Sequence, residues 1–448
     1  MQVSKISLKN FRNYQEQSIQ LASGTNVFIG QNGQGKTNIL EAIYLCACAR
    51  SHRTGKDVDL IRDGADFYQV EIDFESDKQS ERSIKIIYQT KPRQVREIYY
   101  CGLKQDKISD FFGLFHAVIF APEDLMLIKE GPAIRRRFLD LLISQIKPLY
   151  FKNLQSYQFF LKQRNQLLKN LKEMQQALKQ KGQDLTEENY RFNLLQLTIW
   201  TEKLAEVLAK IIKVRQLYID KIEKIAQMSL LAISDGQENL KINYKTVAGI
   251  NPYAEEKEIY KDLLQRYNRQ IDDDIFRGNT ASGSHRDDLD MLIDGDLLKD
   301  RGSQGQQRSA VLALKLAELQ IIEEETGEKP VLLLDDVMSE LDQKRRARLL
   351  SSFESNQVII TCTDLSQIYP SFDGKLIEKS LTDHSSDQET QTAESETEGI
   401  EGQEKVLIYS ESKKAKSDLS KRPHKAQERP SISFFQVDSA TVKEQILL

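Results

Sequence analysis

Polar and apolar positions alternate from Val3 to Phe11, from Phe67 to Phe74 and from Ser83 to Tyr88, the two-residue period of strands with one buried face. Thr25-Asn26-Val27-Phe28-Ile29 and Ala117–Phe120 are short β-prone runs, the second closed by Ala121-Pro122, and they predict buried strands. From about Arg135 to Gln227 the period lengthens. Leu154, Tyr157, Phe160 and Leu161 share one helical face, and Leu194, Leu197, Leu204 and Leu208 share another. Gly182 and Asp184 interrupt that stretch, so two long helices joined by a turn are expected. Heptads are not sustained, which favours a helical domain over a long coiled coil. Strands return from Asp288, with Val331–Leu334 and Val358–Thr361 as buried examples. Between Asp383 and Glu404 there are eight acidic residues and no Lys or Arg, and Lys405 to Arg429 is mostly basic. That composition cannot bury enough apolar surface to order itself and predicts a disordered linker. Ile432–Val437 then reads as one more strand.

Chemistry enters where the Thr25–Ile29 strand meets a helix expected from Asn38 to Ala49. The residues between them include Gly30, Gln31, Asn32, Gly33, Gln34, Gly35, Lys36 and Thr37, with the spacing G-x-x-x-x-G-K-[ST] of a phosphate-binding P-loop. The glycines let backbone N–H groups turn toward phosphates, and the helix N-terminus adds partial positive charge. Lys36 is placed for the β- and γ-phosphates, and the Thr37 hydroxyl for Mg²⁺. The motif therefore implies ATP or another nucleoside triphosphate with Mg²⁺. A P-loop needs an acidic partner, and Val331-Leu332-Leu333-Leu334-Asp335-Asp336 supplies one at the C-terminal end of a buried strand, where open α/β sheets bind ligands. Asp335 is expected to hold the metal and Asp336 to orient the attacking water. Upstream, Gly302 and Ser303, Gln304, Gly305, Gln306 precede an amphipathic helix that Gly327 and Pro330 end.

Composition narrows the class. The chain has 448 residues and a net charge of −4, so no bulk basicity favours nucleic acid, and any such contact must come from local patches. Arg135, Arg136 and Arg137 form the densest basic cluster of the core and are the candidate DNA contacts. The four cysteines form no C-x-x-C pair, which argues against zinc or a disulfide framework and fits a reducing compartment. No stretch reaches the ~20 apolar residues of a membrane span, and the N-terminus leads straight into a strand, so a cytoplasmic protein without membrane contact is expected.

The set of motifs resembles the ABC-type ATPases: a P-loop, a signature at Ser303–Gln306, the acidic strand ending in Asp335-Asp336, and a D-loop at Ser339-Glu340-Leu341-Asp342, with Ser339 and Asp342 its polar members. The resemblance implies an α/β ATPase head, with a strand-rich lobe I over residues 1–122 and 284–380 and a helical lobe II inserted over 123–283. The linker over 381–430 and a final strand and tail over 431–448 would follow. Leu8–Tyr14, Ser51–Thr54, Phe120–Leu125, Arg135–Asp140 and Ser284–Asp288, with an insertion too short for the SMC coiled coils, resemble the RecF family of bacterial DNA repair proteins. That likeness implies a slow, DNA-dependent ATPase that forms an ATP-dependent homodimer. The signature of one subunit would complete the P-loop of the other. Partners would be RecO, RecR and DNA, as duplex and as single-strand/duplex junctions, during gap repair and RecA loading. Thr363 stands where most ABC ATPases carry a switch histidine and is the expected γ-phosphate sensor. Two other readings stay open here: a transporter motor, and a DNA scaffold in which ATP is structural.

Overall fold

A computed structural model of the chain describes residues 1–77, 79–181, 187–234, 236–337, 356–365, 376–378 and 432–447. The expected linker and the D-loop residues Ser339 and Asp342 lie outside the described residues. Strands β1 (Gln2–Phe11) and β2 (Tyr14–Gln20) lead to β3 (Thr25–Ile29), the P-loop and helix α1 (Lys36–Cys48). Then come β4 (Phe67–Ser76), β5 (Gln79–Gln89), β6 (Val95–Tyr100), β7 (Leu103–Lys104) and β8 (Ala117–Phe120). The helical stretch follows as α2 (Met126–Lys129), α3 (Pro132–Ile146), α4 (Pro148–Lys181) and α5 (Glu187–Ile233), then β9 (Leu240–Lys245), α6 (Glu256–Arg269) and α7 (Ile271–Arg277). The chain returns through β10 (Asp288–Ile293), β11 (Asp296–Leu297), α8 (Leu298–Arg301) and α9 (Gln304–Thr326) to β12 (Val331–Asp335) and β13 (Val358–Cys362). Beyond these lie β14 (Leu376–Glu378), β15 (Ile432–Asp438) and β16 (Thr441–Leu447).

The central sheet runs β14-β16-β15-β3-β13-β12-β8, with β15, β3, β13, β12 and β8 mutually parallel. Its inner strands are buried on both faces, which is why they read as apolar runs and not as alternations. The pleat sends neighbours to different cores. Val27, Leu332, Leu334 and Ile360 pack toward α3, α5 and α9. Phe28, Leu333 and Ile359 pack with α1 and the antiparallel sheet β2-β1-β4-β5-β6-β7. Helix α1 is thus held between two sheets, and burial covers almost its whole circumference. This three-layer α/β arrangement fixes the P-loop rigidly between β3 and α1.

The two long helices pair on either side of residues 182–186, as their periodicity predicts, and Tyr157, Leu197, Leu204 and Leu208 are buried between them and their neighbours. The expected boundary at residue 283 falls inside a structural unit. β9 pairs with β10 across it (Ile242↔Met291, Tyr244↔Leu289), and α9 lies along α5. Six residues of alternation at β9 are too few to stand out beside a helical stretch of this length. The C-terminus differs too: Ile432–Val437 forms β15 as expected, but Thr441–Leu447 adds a second strand and makes a hairpin.

Candidate functional site

The P-loop and the acidic strand meet at the C-terminal edge of the central sheet. Thr37, at the start of α1, donates its hydroxyl to Asp335 Oδ1 at 2.8 Å across 298 residues of sequence. Thr361 donates to the same oxygen at 2.8 Å, because β13 places it directly beside Asp335. Burial raises the Asp335 pKa, and the Thr361 and Thr37 hydroxyls pull it back only in part. Lys36 is buried, and its Nζ donates to the carbonyls of Gly30 (2.6 Å) and Gln31 (2.8 Å). Desolvation lowers its pKa, against the pull of Asp336, Cys362 and Asp335. Asp336 adopts a left-handed backbone (φ 51°), where its N–H donates to Thr361 Oγ1 at 3.0 Å.

These residues line one cleft of about 390 Å³, within the range of small-ligand sites, together with Asn32, Gly33, Gly35, Asn38, Arg53, Pro122 and Glu123. Its ionisable lining is Lys36 and Arg53 against Glu123, Asp335 and Asp336, two positive charges against three negative. A triphosphate entering such a cleft needs a divalent cation to offset the added negative charge. The oxygen donors fit that cation: the Thr37 hydroxyl and Asp335 carboxylate would supply two ligands of a hard-cation shell of about six oxygens, leaving the remainder to phosphate and water. Among the described residues no group of three or more His, Cys, Asp or Glu could hold a metal unaided.

A ring of interactions outside the cleft holds the loop. The turn after β1 places Asn13 Nδ2 on the Gln34 carbonyl (3.1 Å) and Tyr14 Oη on the Gly35 carbonyl (3.2 Å). Gly35 has φ 114°, and a Cβ there would lie 2.7 Å from Asn13 Nδ2, so only glycine fits. Glu41, fully buried on α1, accepts from Arg12 Nε (2.8 Å) and Nη2 (2.7 Å) and from Ser51, with Arg53 Nη1 3.6 Å away. Burial alone would push the Glu41 pKa up, but the Arg12 and Ser51 hydrogen bonds and the Arg12 and Arg53 charges prevail and hold it below the usual carboxylate range. Arg53 also donates to Asn38 Oδ1 at 3.0 Å, which ties the cleft wall to α1.

The remaining expected residues fall elsewhere. Ser303 is the N-cap of α9, in a reciprocal capping box with Gln306 (3.1 and 2.9 Å), and Ser303, Gln304 and Gly305 are exposed. They do not line the P-loop cleft of their own chain. Thr363 is exposed past the end of β13 and is likewise absent from the lining, where Thr361 stands instead.

The three arginines are reassigned. Arg135 is buried and grips Asp288 with Nε and Nη2 (2.7 and 3.0 Å), while its Nη1 bonds the Leu127 and Glu130 carbonyls. Arg136 donates to the Asp287 carbonyl at 2.7 Å, and Arg137 to that of Ser51. A buried, bidentately paired guanidinium cannot reach a DNA phosphate, so Arg135 joins elements, while the half-buried Arg136 and Arg137 each tie the helix to a neighbouring backbone carbonyl. Arg215 on α5 completes the joint, bonding Asp140 on α3 and Asp287 before β10. Sequence reasoning missed Thr361, Arg12, Glu41 and Asn13. Two signals were available: Thr361 is a lone hydroxyl near the end of an apolar strand, and Arg12 and Asn13 lie in the Leu8–Tyr14 segment that carries the family resemblance.

The RecF/RecN/SMC N terminal domain family profile matches residues 2–371. The chain is 42% identical over 365 residues to the DNA replication and repair protein RecF of Acetivibrio thermocellus, covering 81% of this chain and 94% of that protein. It is 42% identical over 371 residues to its Listeria monocytogenes counterpart, covering 82% and 94%. A solved structure of the recombination mediator protein RecF with ATP, in the RecFOR pathway, superposes with a TM-score of 0.76 at 34% identity, covering 99% of this chain and 97% of that one. The chain belongs to the RecF family of DNA replication and repair proteins, built on an SMC-type ATPase head.

Proposed function

We propose that this chain is an ATP-driven DNA-binding switch of recombinational gap repair. The observation that carries the reading is the Thr37–Asp335 contact, which joins the two halves of a nucleotide site at one sheet edge. Lys36 exchanges its two loop carbonyls for the β- and γ-phosphate oxygens, which gives its buried ammonium charged partners in place of neutral ones. Thr37 and Asp335 hold Mg²⁺, and Asp336 orients the water that attacks the γ-phosphate. Bound Mg²⁺ supplies charge neutralisation of the phosphates.

The signature gives the site its second half. Ser303 caps a 23-residue helix, Ser303, Gln304 and Gly305 are exposed, and none of Ser303–Gln306 lines its own chain's cleft. Its use therefore requires a second copy, and an ATP-dependent homodimer follows. The helix N-terminus then faces the other copy's γ-phosphate, and this contact exists only in the ATP state, which is the differential interaction a switch needs. The likeness to RecF relatives supports extending the reading to DNA binding, action with RecO and RecR, and help in RecA loading. DNA contact through phosphates would be sequence-independent and salt-dependent. The likeness to RecF relatives favours this reading over a transporter motor.

The test is DNA affinity with and without Mg-ATP, for the natural chain and for Lys36→Arg. ATP should tighten DNA binding of the natural chain at least tenfold and leave Lys36→Arg unchanged. Equal affinity of the natural chain in both conditions would defeat the switch.

A further inference from the structure

The P-loop is gripped from a direction that phosphate binding does not require. Hairpin β15–β16 is the last described part of the chain, and 53 residues (379–431) separate it from β14. Strand β15 runs parallel to β3, the strand that feeds the loop, and Phe435 stacks on Phe28 with centroids 4.8 Å apart. Its end presses on the first P-loop residue: a Cβ on Gly30 would lie 2.2 Å from the Val437 carbonyl oxygen, so Gly30 is required by the hairpin as well as by any phosphate.

The turn then reaches the loop's crest. Ser439 donates its N–H to Gln34 Oε1 at 2.6 Å, and Ala440 donates its N–H to the Gln34 carbonyl at 3.2 Å. That carbonyl also accepts from Asn13. The crest is therefore clamped between the turn after β1 and the turn after β15. Ser439 (φ 47°) and Ala440 (φ 60°) are both left-handed in this two-residue hairpin turn, where Asn-Gly is the favoured pair. A strained turn persists when its surroundings fix it, and here its two amides are fixed by Gln34. On its far side the hairpin is braced on β2, where Gln17 Oε1 accepts from Val442 N–H at 3.3 Å.

We propose that the C-terminal hairpin is a positioning element of the phosphate-binding loop, acting through Gln34, so that nucleotide affinity depends on its being docked. The coupling is reciprocal, because binding free energies at linked sites must be: nucleotide that favours the clamped loop also holds the hairpin in place. The inference rests on the ATP reading above.

The experiment measures Mg-ATP dissociation constants and hydrogen exchange of the β15–β16 amides for the full chain, for Gln34→Ala, and for a chain ending at Ser380 with and without Gln34→Ala. Gln34→Ala removes one neutral hydrogen bond and should weaken Mg-ATP binding about fivefold while the nucleotide-free melting temperature stays put. In the shortened chain the same substitution should have no further effect, since the hairpin it addresses is gone. Mg-ATP should slow hairpin exchange in the natural chain at least fivefold, and less in Gln34→Ala. The exchange measurement stands alone if the shortened chain does not fold. If the natural chain binds Mg-ATP but Gln34→Ala binds equally well, or if Mg-ATP leaves hairpin exchange unchanged, the coupling is overturned and the nucleotide site stands. If the natural chain does not bind Mg-ATP, the ATP reading itself fails.

Discussion

Replacing Glu41 by glutamine keeps the volume of the side chain and removes its charge. The carboxylate is fully buried and serves a bidentate Arg12, Ser51 and, more distantly, Arg53. An amide in its place must turn an NH₂ toward the Arg12 guanidinium, so a donor faces a donor. Breaking a buried pair by removing one partner costs about 3–5 kcal/mol, and the lower end applies because Arg12 keeps 21% of its side chain exposed to water. About 3 kcal/mol corresponds to roughly a 150-fold loss of protection. Native-state hydrogen exchange of the α1 amides reports it locally; the single tryptophan, Trp200, lies on α5 and would not. The pH dependence has a definite sign. Glu41's folded pKa lies below its unfolded value, so its contribution is complete above the ordinary carboxylate pKa of about 4.3 and is lost as pH falls through the depressed folded value. The gap between natural chain and variant should therefore be constant at neutral pH and close in acid. Protection within fivefold of the natural chain at neutral pH would refute the hub.

Two other substitutions test the site and the reassigned arginines. Asp335 must be ionised to hold Mg²⁺, and burial raises its pKa, so Mg-ATP affinity should fall as pH drops toward that raised value; in Asp335→Asn it should be at least tenfold weaker and lose this pH dependence, as read by calorimetric titration. Arg135→Ala should destabilise the chain by about 3 kcal/mol through the unpaired Asp288, seen in thermal melts, while the salt slope of DNA binding stays the same; a slope shallower by about one unit would restore Arg135 as a phosphate contact.

The parts of the fold that are legible in sequence are those whose signal is local. Gly30–Thr37 has fixed spacing, β12 is an apolar run ending in carboxylates, and α4 and α5 carry long leucine periods. Ser303–Gln306 is likewise a four-residue pattern at a helix start, read from the sequence as a signature, and in the structure it forms a capping box. What was hidden depends on register between distant strands. Thr361 enters the site only because β13 aligns it with Asp335, whereas the sequence points two residues on, to Thr363. The Arg135–Arg137 cluster reads as a basic patch because partners such as Asp288 lie some 150 residues away, beyond any local pattern. The hairpin escaped notice because Ser439-Ala440 lacks the glycine or asparagine that marks so tight a turn. Arg12, Asn13, Ser51, Arg53, Asp140 and Asp287 lie in the segments that carry the family resemblance, and in the structure those segments brace the P-loop or join the helical lobe to the sheet.

The central claim is that Ser303 of one copy completes the nucleotide site of another. Sedimentation velocity with Mg²⁺ and a slowly hydrolysed ATP analogue tests it most directly. The natural chain should be monomeric without nucleotide and dimeric with it, whereas Ser303→Arg should still bind the analogue, through its own P-loop, and stay monomeric. A natural chain that binds the analogue yet remains a monomer, or a Ser303→Arg chain that dimerises as well as the natural one, would contradict the account.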